Sequence, residues 1–123
     1  MDTHDNNVKP IEKSDSIKRD IEDCYRAAIK YLELYTNSSL RHAGNQKLFY
    51  VNFVSKFQSL FYFTRVDNSL KRDDNKKLLD DVDKWFNDGV LSNQEEGIKL
   101  FLKYSQALFD KGILSFRRWL LEW

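Results

Sequence analysis

The strongest pattern in the chain is the run Leu48 to Phe63, LFYVNFVSKFQSLFYF, in which eleven of sixteen residues are apolar or aromatic. Four of its five polar residues, Asn52, Ser55, Lys56 and Ser59, fall at i, i+3, i+4 and i+7, one narrow stripe of an α-helix. Strand alternation fails at Leu48-Phe49-Tyr50-Val51 and at Leu60-Phe61-Tyr62-Phe63, so the helical period decides the element. A helix greasy around most of its surface has to be surrounded, and the segment 46–65 is expected to be the most enclosed helix of a bundle.

The same period recurs on either side. Ile17, Ile21, Cys24, Ala28, Tyr31 and Tyr35 alternate by four and three, a heptad-spaced seam of a helix over 15–36 capped by Asp15 or Ser16. Asn37-Ser38-Ser39 reads as the turn that stops it. Leu78, Leu79, Val82, Trp85 and Phe86 mark one face of a third helix over 74–88. Asp73 or Asp74 is its expected cap, and Gly89 its stop. Ser92 with Glu95 three residues on reads as a capping box. The last segment, 93–123, carries the repeat Ile98, Leu102, Ser105, Phe109, Gly112, Phe116, Trp119, Trp123. Either one helix runs its whole length, about 45 Å at 1.5 Å per residue, or Asp110-Lys111-Gly112 breaks it. Residues 1–14 are polar and read as a flexible tail.

The expected fold is therefore all-α, an up-down bundle of four principal helices in one domain over 15–123, preceded by the tail. Short connections favour antiparallel neighbours. The expected core comprises Ile21, Cys24, Ala28, Leu32, Val51, Val54, Phe57, Phe61, Leu78, Val82, Phe86, Phe101, Leu102 and Leu108.

Composition agrees with a helical reading. There are one Pro and four Gly in 123 residues, so breakers are few. Aromatic residues are abundant, with nine Phe, six Tyr and three Trp. The single cysteine, Cys24, cannot form an internal disulfide, which suits a reducing, cytoplasmic address. No apolar run approaches the roughly 20 residues that span a bilayer. Net charge is +1, but its distribution is uneven. No acid lies between Glu33 and Asp67, whereas 73–96 holds eight acids against three bases.

Catalytic sets are hard to assemble. Cys24 lies on an apolar seam and the two histidines, His4 and His42, fall in the tail and a connection. No metal-binding spacing occurs, so neither a cofactor nor a metal is expected. Asp80, Asp81 and Asp83 fit a solvated helix face better than the raised pKa that acid–base work requires. No enzymatic function is expected.

Binding features are sharper. Phe116, Trp119, Leu120 and Trp123 stand at i, i+3, i+4 and i+7, with Arg117 and Arg118 among them, the anchor pattern of helix-in-groove recognition. The expected function is a non-catalytic interaction module, an adaptor, inhibitor or small subunit, contacting a protein partner or a second copy through these residues. The alternative is a small nucleic-acid-binding regulator using the basic segment 41–72, with Arg41, Lys47 and Lys56 as the candidate contacts. Lys56 and Arg65 lie on opposite sides of their helix, which weakens a continuous basic stripe.

Overall fold

The computed structural model describes residues 2–37 and 43–115, with side chains from 16–37 and 44–115. Four helices follow in order: α1 (Asp2–Asn37), α2 (Ala43–Val66), α3 (Arg72–Asp88) and α4 (Gln94–Asp110). No strand occurs among the described residues.

Side-chain pairings give the directions. Tyr35 meets Tyr50 with ring centroids 5.5 Å apart, and Gln46 Nε2 donates to the Tyr35 carbonyl at 3.2 Å. Further back along α1, Tyr25 meets Phe109 near the C-terminal end of α4, edge-on at 5.4 Å. At the opposite end Tyr35 Oη donates to Gln94 Oε1 at 2.9 Å. α1 and α4 are thus antiparallel. Phe53 meets Phe101 and Phe61 meets Tyr104, so α2 and α4 run the same way. Phe57 meets Phe86 and Tyr50 Oη donates to the Val90 carbonyl, which sets α3 antiparallel to α2. These directions make the expected up-down four-helix bundle.

α1 and α2 form the most closely packed pair of helices. The α3–α4 hairpin meets that pair through rings: Phe57 is surrounded by Phe53, Trp85, Phe86, Phe101 and Tyr104. The high aromatic content therefore fills the space between two hairpins, where large rings bury much area per residue.

Several expected boundaries shift. α1 is continuous from Asp2, so its helical backbone runs through residues 2–14 and no cap forms at Asp15 or Ser16. The core side chains described on α1 begin at Ile17. α3 starts two residues early, with Lys71 at the N-cap and no side-chain cap bond. Asp73 and Asp74 lie inside its first turn, where they favour the helix dipole instead of capping. Asn75 departs from helical geometry (φ −129°, ψ 22°) and its side-chain amide donates to the Lys71 carbonyl at 2.9 Å. The cap of α4 is Asn93, whose Oδ1 accepts from the Glu96 N–H at 3.3 Å. The expected Ser92/Glu95 box is displaced by one residue, because Ser92 Oγ donates to the Asp88 carbonyl instead.

The last helix breaks where Gly112 allowed it to break. α4 ends at Asp110, and Gly112 is left-handed at φ 76°. Gly112 N–H donates to Phe109 O and Ile113 N–H to Leu108 O, both at 2.9 Å, the paired bonds of a Schellman motif. α2 ends the same way with Asn68 in the left-handed position at φ 55°. Its N–H donates to Arg65 O and that of Ser69 to Thr64 O. An uninterrupted helix over 93–123 is thus excluded.

The α3–α4 turn is built around an indole. Trp85 is buried and its Nε1 donates to the Asn93 carbonyl at 2.8 Å. A Cβ on Gly89 would stand 2.5 Å from Trp85 Cδ1, and one on Gly97 would fall closer still to Cζ2. Gly89 stops α3 as expected, but in right-handed geometry (φ −115°, ψ −5°). Its missing side chain matters for space, not for a left-handed turn.

Candidate interaction surface

α2 carries two opposed faces. Tyr50, Phe53, Phe57, Leu60, Phe61 and Thr64 point into the bundle and are buried. The opposite face is Leu48, Val51, Ser55, Gln58, Tyr62 and Val66, all exposed. Four of these six are large and apolar, with exposures of 56% at Leu48, 51% at Val51, 63% at Tyr62 and 61% at Val66.

This overturns two expectations. α2 is not surrounded, and Val51 is not core. The polar stripe read from the sequence lies off the outer face, because only Ser55 of its four members is exposed while Asn52, Lys56 and Ser59 are half-buried at the flank. With apolar residues on every side of the helix, the period alone did not determine which side would turn inward.

The candidate residues divide by position. Phe116, Arg117, Arg118, Trp119, Leu120 and Trp123 lie outside the described residues, as do Arg41 and His42. The last described residue before the C-terminal group, Ser115, is tied to α1: its N–H and Oγ donate to Glu22 Oε2 at 2.9 and 3.2 Å. Lys47 is exposed near the start of α2, and Lys56 is half-buried, near enough to Cys24 to lower its pKa. Lys47 and Lys56 therefore do not form one exposed basic surface. The exposed apolar residues Leu48, Val51, Tyr62 and Val66 were missed as a binding feature. Their spacing of three and four was visible in the sequence, but it was masked by the equally apolar inner face.

Groups able to do chemistry sit in unpromising surroundings. Burial pushes the Cys24 thiol up, outweighing Lys56, which is opposite to the depressed pKa of a reactive thiolate. Asp80 is half-exposed, and hydrogen bonds from Lys76 and Arg72 hold its carboxyl below the ordinary range. A proton donor would need the reverse shift. Asp81 pairs with Lys77 at 3.1 Å on the same solvated face. Buried hydroxyls serve packing. Thr64 Oγ1 donates to the Leu60 carbonyl at 2.8 Å, so the single proton between Thr64 and Tyr104 comes from the tyrosine. Among the described residues no group of three metal-ligating side chains occurs, and no helix is long and apolar enough to cross a membrane.

Two of the open grooves along the bundle are bordered by aromatic rings. One, of about 450 Å³, lies between α3 and α4 beside Trp85 and mixes Lys77 and Lys84 with Asp81, Asp88 and Glu96. The other, of about 350 Å³, lies between α2 and α3, bounded by Tyr62, Arg65, Asp83 and Phe86. The second continues the exposed face of α2. Compared with known proteins, the chain matches no family model, no curated protein and no solved structure.

Proposed function

We propose that this chain is a non-catalytic protein–protein interaction module, an adaptor, inhibitor or small subunit working in the cytoplasm. The observation that supports it is the outer face of α2, where Leu48, Val51, Tyr62 and Val66 are held in water by a helix whose other face is core. Large apolar side chains exposed in register on one rigid element mark interaction surfaces. The C-terminal residues Phe116, Arg117, Arg118, Trp119, Leu120 and Trp123 supply a second anchor pattern in sequence, starting next to the Ser115–Glu22 attachment.

Affinity capture of the tagged chain from its native lysate, with and without nuclease, tests this reading. A stoichiometric protein partner should survive nuclease. It should be lost from a Val51→Asp/Tyr62→Asp variant, or from a chain lacking 116–123 that still folds. Unfolding of the truncated chain would make those residues core and leave α2 as the sole surface. Recovery of nucleic acid, with associated proteins lost on digestion, would replace this reading by that of a regulator using Arg41, Lys47 and Lys56.

A further inference from the structure

The exposed stripe of α2 has a definite chemistry. Leu48 and Val51 stand near its N-terminal end, Tyr62 and Val66 near its C-terminal end, and Ser55 and Gln58 lie between them. From 48 to 66 the stripe runs about 27 Å at 1.5 Å per residue, a full helix-packing surface. α2 contains no acidic residue from Ala43 to Val66. Its exposed cations stand at the two ends, Lys47 beside Leu48 and Arg65 beside Val66. The Arg65 guanidinium lies over the Phe61 ring, 5.3 Å from its centroid, which steadies the charge at that rim. Among the described residues Asp83 is the one acid bordering the adjoining groove, and it belongs to α3.

A second copy is the first occupant to consider. Packed antiparallel, two α2 faces would match Leu48 with Val66, Val51 with Tyr62 and Ser55 with Gln58. The same register brings Lys47 of each copy beside Arg65 of the other. Parallel packing sets each cation against itself. Neither arrangement finds an acid on α2 to offset the repulsion, and like charges across an interface select against it.

We propose that the outer face of α2 binds an amphipathic helix of a protein partner, with apolar residues spaced by three and four and Asp or Glu flanking them. The apolar side chains cover Leu48, Val51, Tyr62 and Val66, and the acids meet Lys47 and Arg65. This rests on the interaction-module reading and specifies the partner's chemistry.

NMR titration of the full chain with two synthetic helices tests it. Both probes carry about 20 residues and the same leucine face, one flanked by Glu and the other by Lys. The Glu probe should shift amides along the outer face of α2 and bind about fivefold or more tightly than the Lys probe, a gap that narrows with salt. Lys47→Glu with Arg65→Glu should reverse the preference. Val51→Asp with Tyr62→Asp should abolish binding while leaving the circular dichroism unchanged. Equal affinity for the two probes, or shifts confined to other helices, would overturn the proposal. So would a dimeric wild-type chain made monomeric by Val51→Asp/Tyr62→Asp, or phosphatidylglycerol vesicles bound through Val51 and Tyr62 while the Glu probe is not. A lysate partner held through α2 without charge discrimination sinks this proposal alone, whereas the absence of any protein partner sinks the functional reading.

Discussion

Phe57 shows what one side chain contributes when five rings close around it. It is fully buried, and its removal would empty the point where α2, α3 and α4 meet. Phe57→Ala should cost about 3–5 kcal/mol in urea denaturation, whereas Val51→Ala, on the same helix but exposed, should stay within about 0.5 kcal/mol. Equal losses would mean that the inner and outer faces of α2 are misassigned. Gly97 makes the opposite case, a residue defined by what it lacks. A methyl there would enter the space of the Trp85 indole, while one on Gly44 meets nothing within 4 Å. Overpacking costs of about 1–3 kcal/mol exceed what alanine gains in helix propensity, so Gly97→Ala should lower the melting temperature and Gly44→Ala should not. Ala28, Leu32, Phe101 and Leu108 were legible as core because they lie on helices with a distinct polar face opposite, whereas on α2 Phe57 was placed in the core correctly and Val51 was not. Tyr25 and Trp85 were not in the expected core, because aromatic residues with a polar edge can face either way until a partner is in place, and Phe53 was not because the phase of α2 was open.

Helix ends were legible in kind and displaced in detail. Gly89 stops a helix as expected and Gly112 stops one where the sequence left two alternatives, yet only Gly112 uses the left-handed backbone. The N-terminus of α4 shows why a capping motif needs the structure. Ser92-x-x-Glu95 fits the pattern as well as any pair in the chain, but the Asn93 carbonyl is claimed by Trp85 Nε1, and that bond places Asn93 at the cap. Asn93→Ala should therefore cost about 1 kcal/mol in thermal unfolding, with Ser92→Ala close to neutral. A larger loss at Ser92 would return the cap to the sequence-derived position. α2 presents the same limit at the level of a whole element. Its helical period was plain, but its phase was not, and the candidate surface depends on phase.

Across the whole molecule, two tyrosines link packing to pH. Burial pushes both Tyr50 and Tyr104 from the ordinary value of 10.0 to about 12. In each case the folded state keeps its phenol protonated after the unfolded chain has lost that proton. The unfolded state then binds fewer protons than the native one, so stability falls as pH rises. Denaturation free energy should be level with respect to these groups below about pH 10 and decline from there towards about 12. Tyr104→Phe should flatten part of that decline, and tyrosinate absorbance should develop at lower pH in the unfolded chain than in the folded one. An unchanged slope in the variant would mean that Tyr104 ionises freely in the native bundle. The charge asymmetry also acts at this scale, since the acid-free α2 and the acidic outer face of α3 belong to adjacent helices and give the bundle sides of unlike charge.

The helical class and the number of principal helices were written in spacing, because a 3.6-residue period and scarce breakers act locally on the backbone, whereas the choice between a continuous last helix and a break at Gly112 fell to the structure. Tertiary packing alone decided which side of α2 faces water, which residue caps α4 and why Gly97 has no side chain. Each of these depends on where a distant group lies: the rings of α4 against Phe53 and Phe57, or the Trp85 indole against Asn93 and Gly97. On a helix apolar around most of its circumference, several rotations bury similar amounts of surface, and only the fit of the neighbouring rings selects one. That selection left Leu48, Val51, Tyr62 and Val66 in solvent and created the surface on which the functional reading stands.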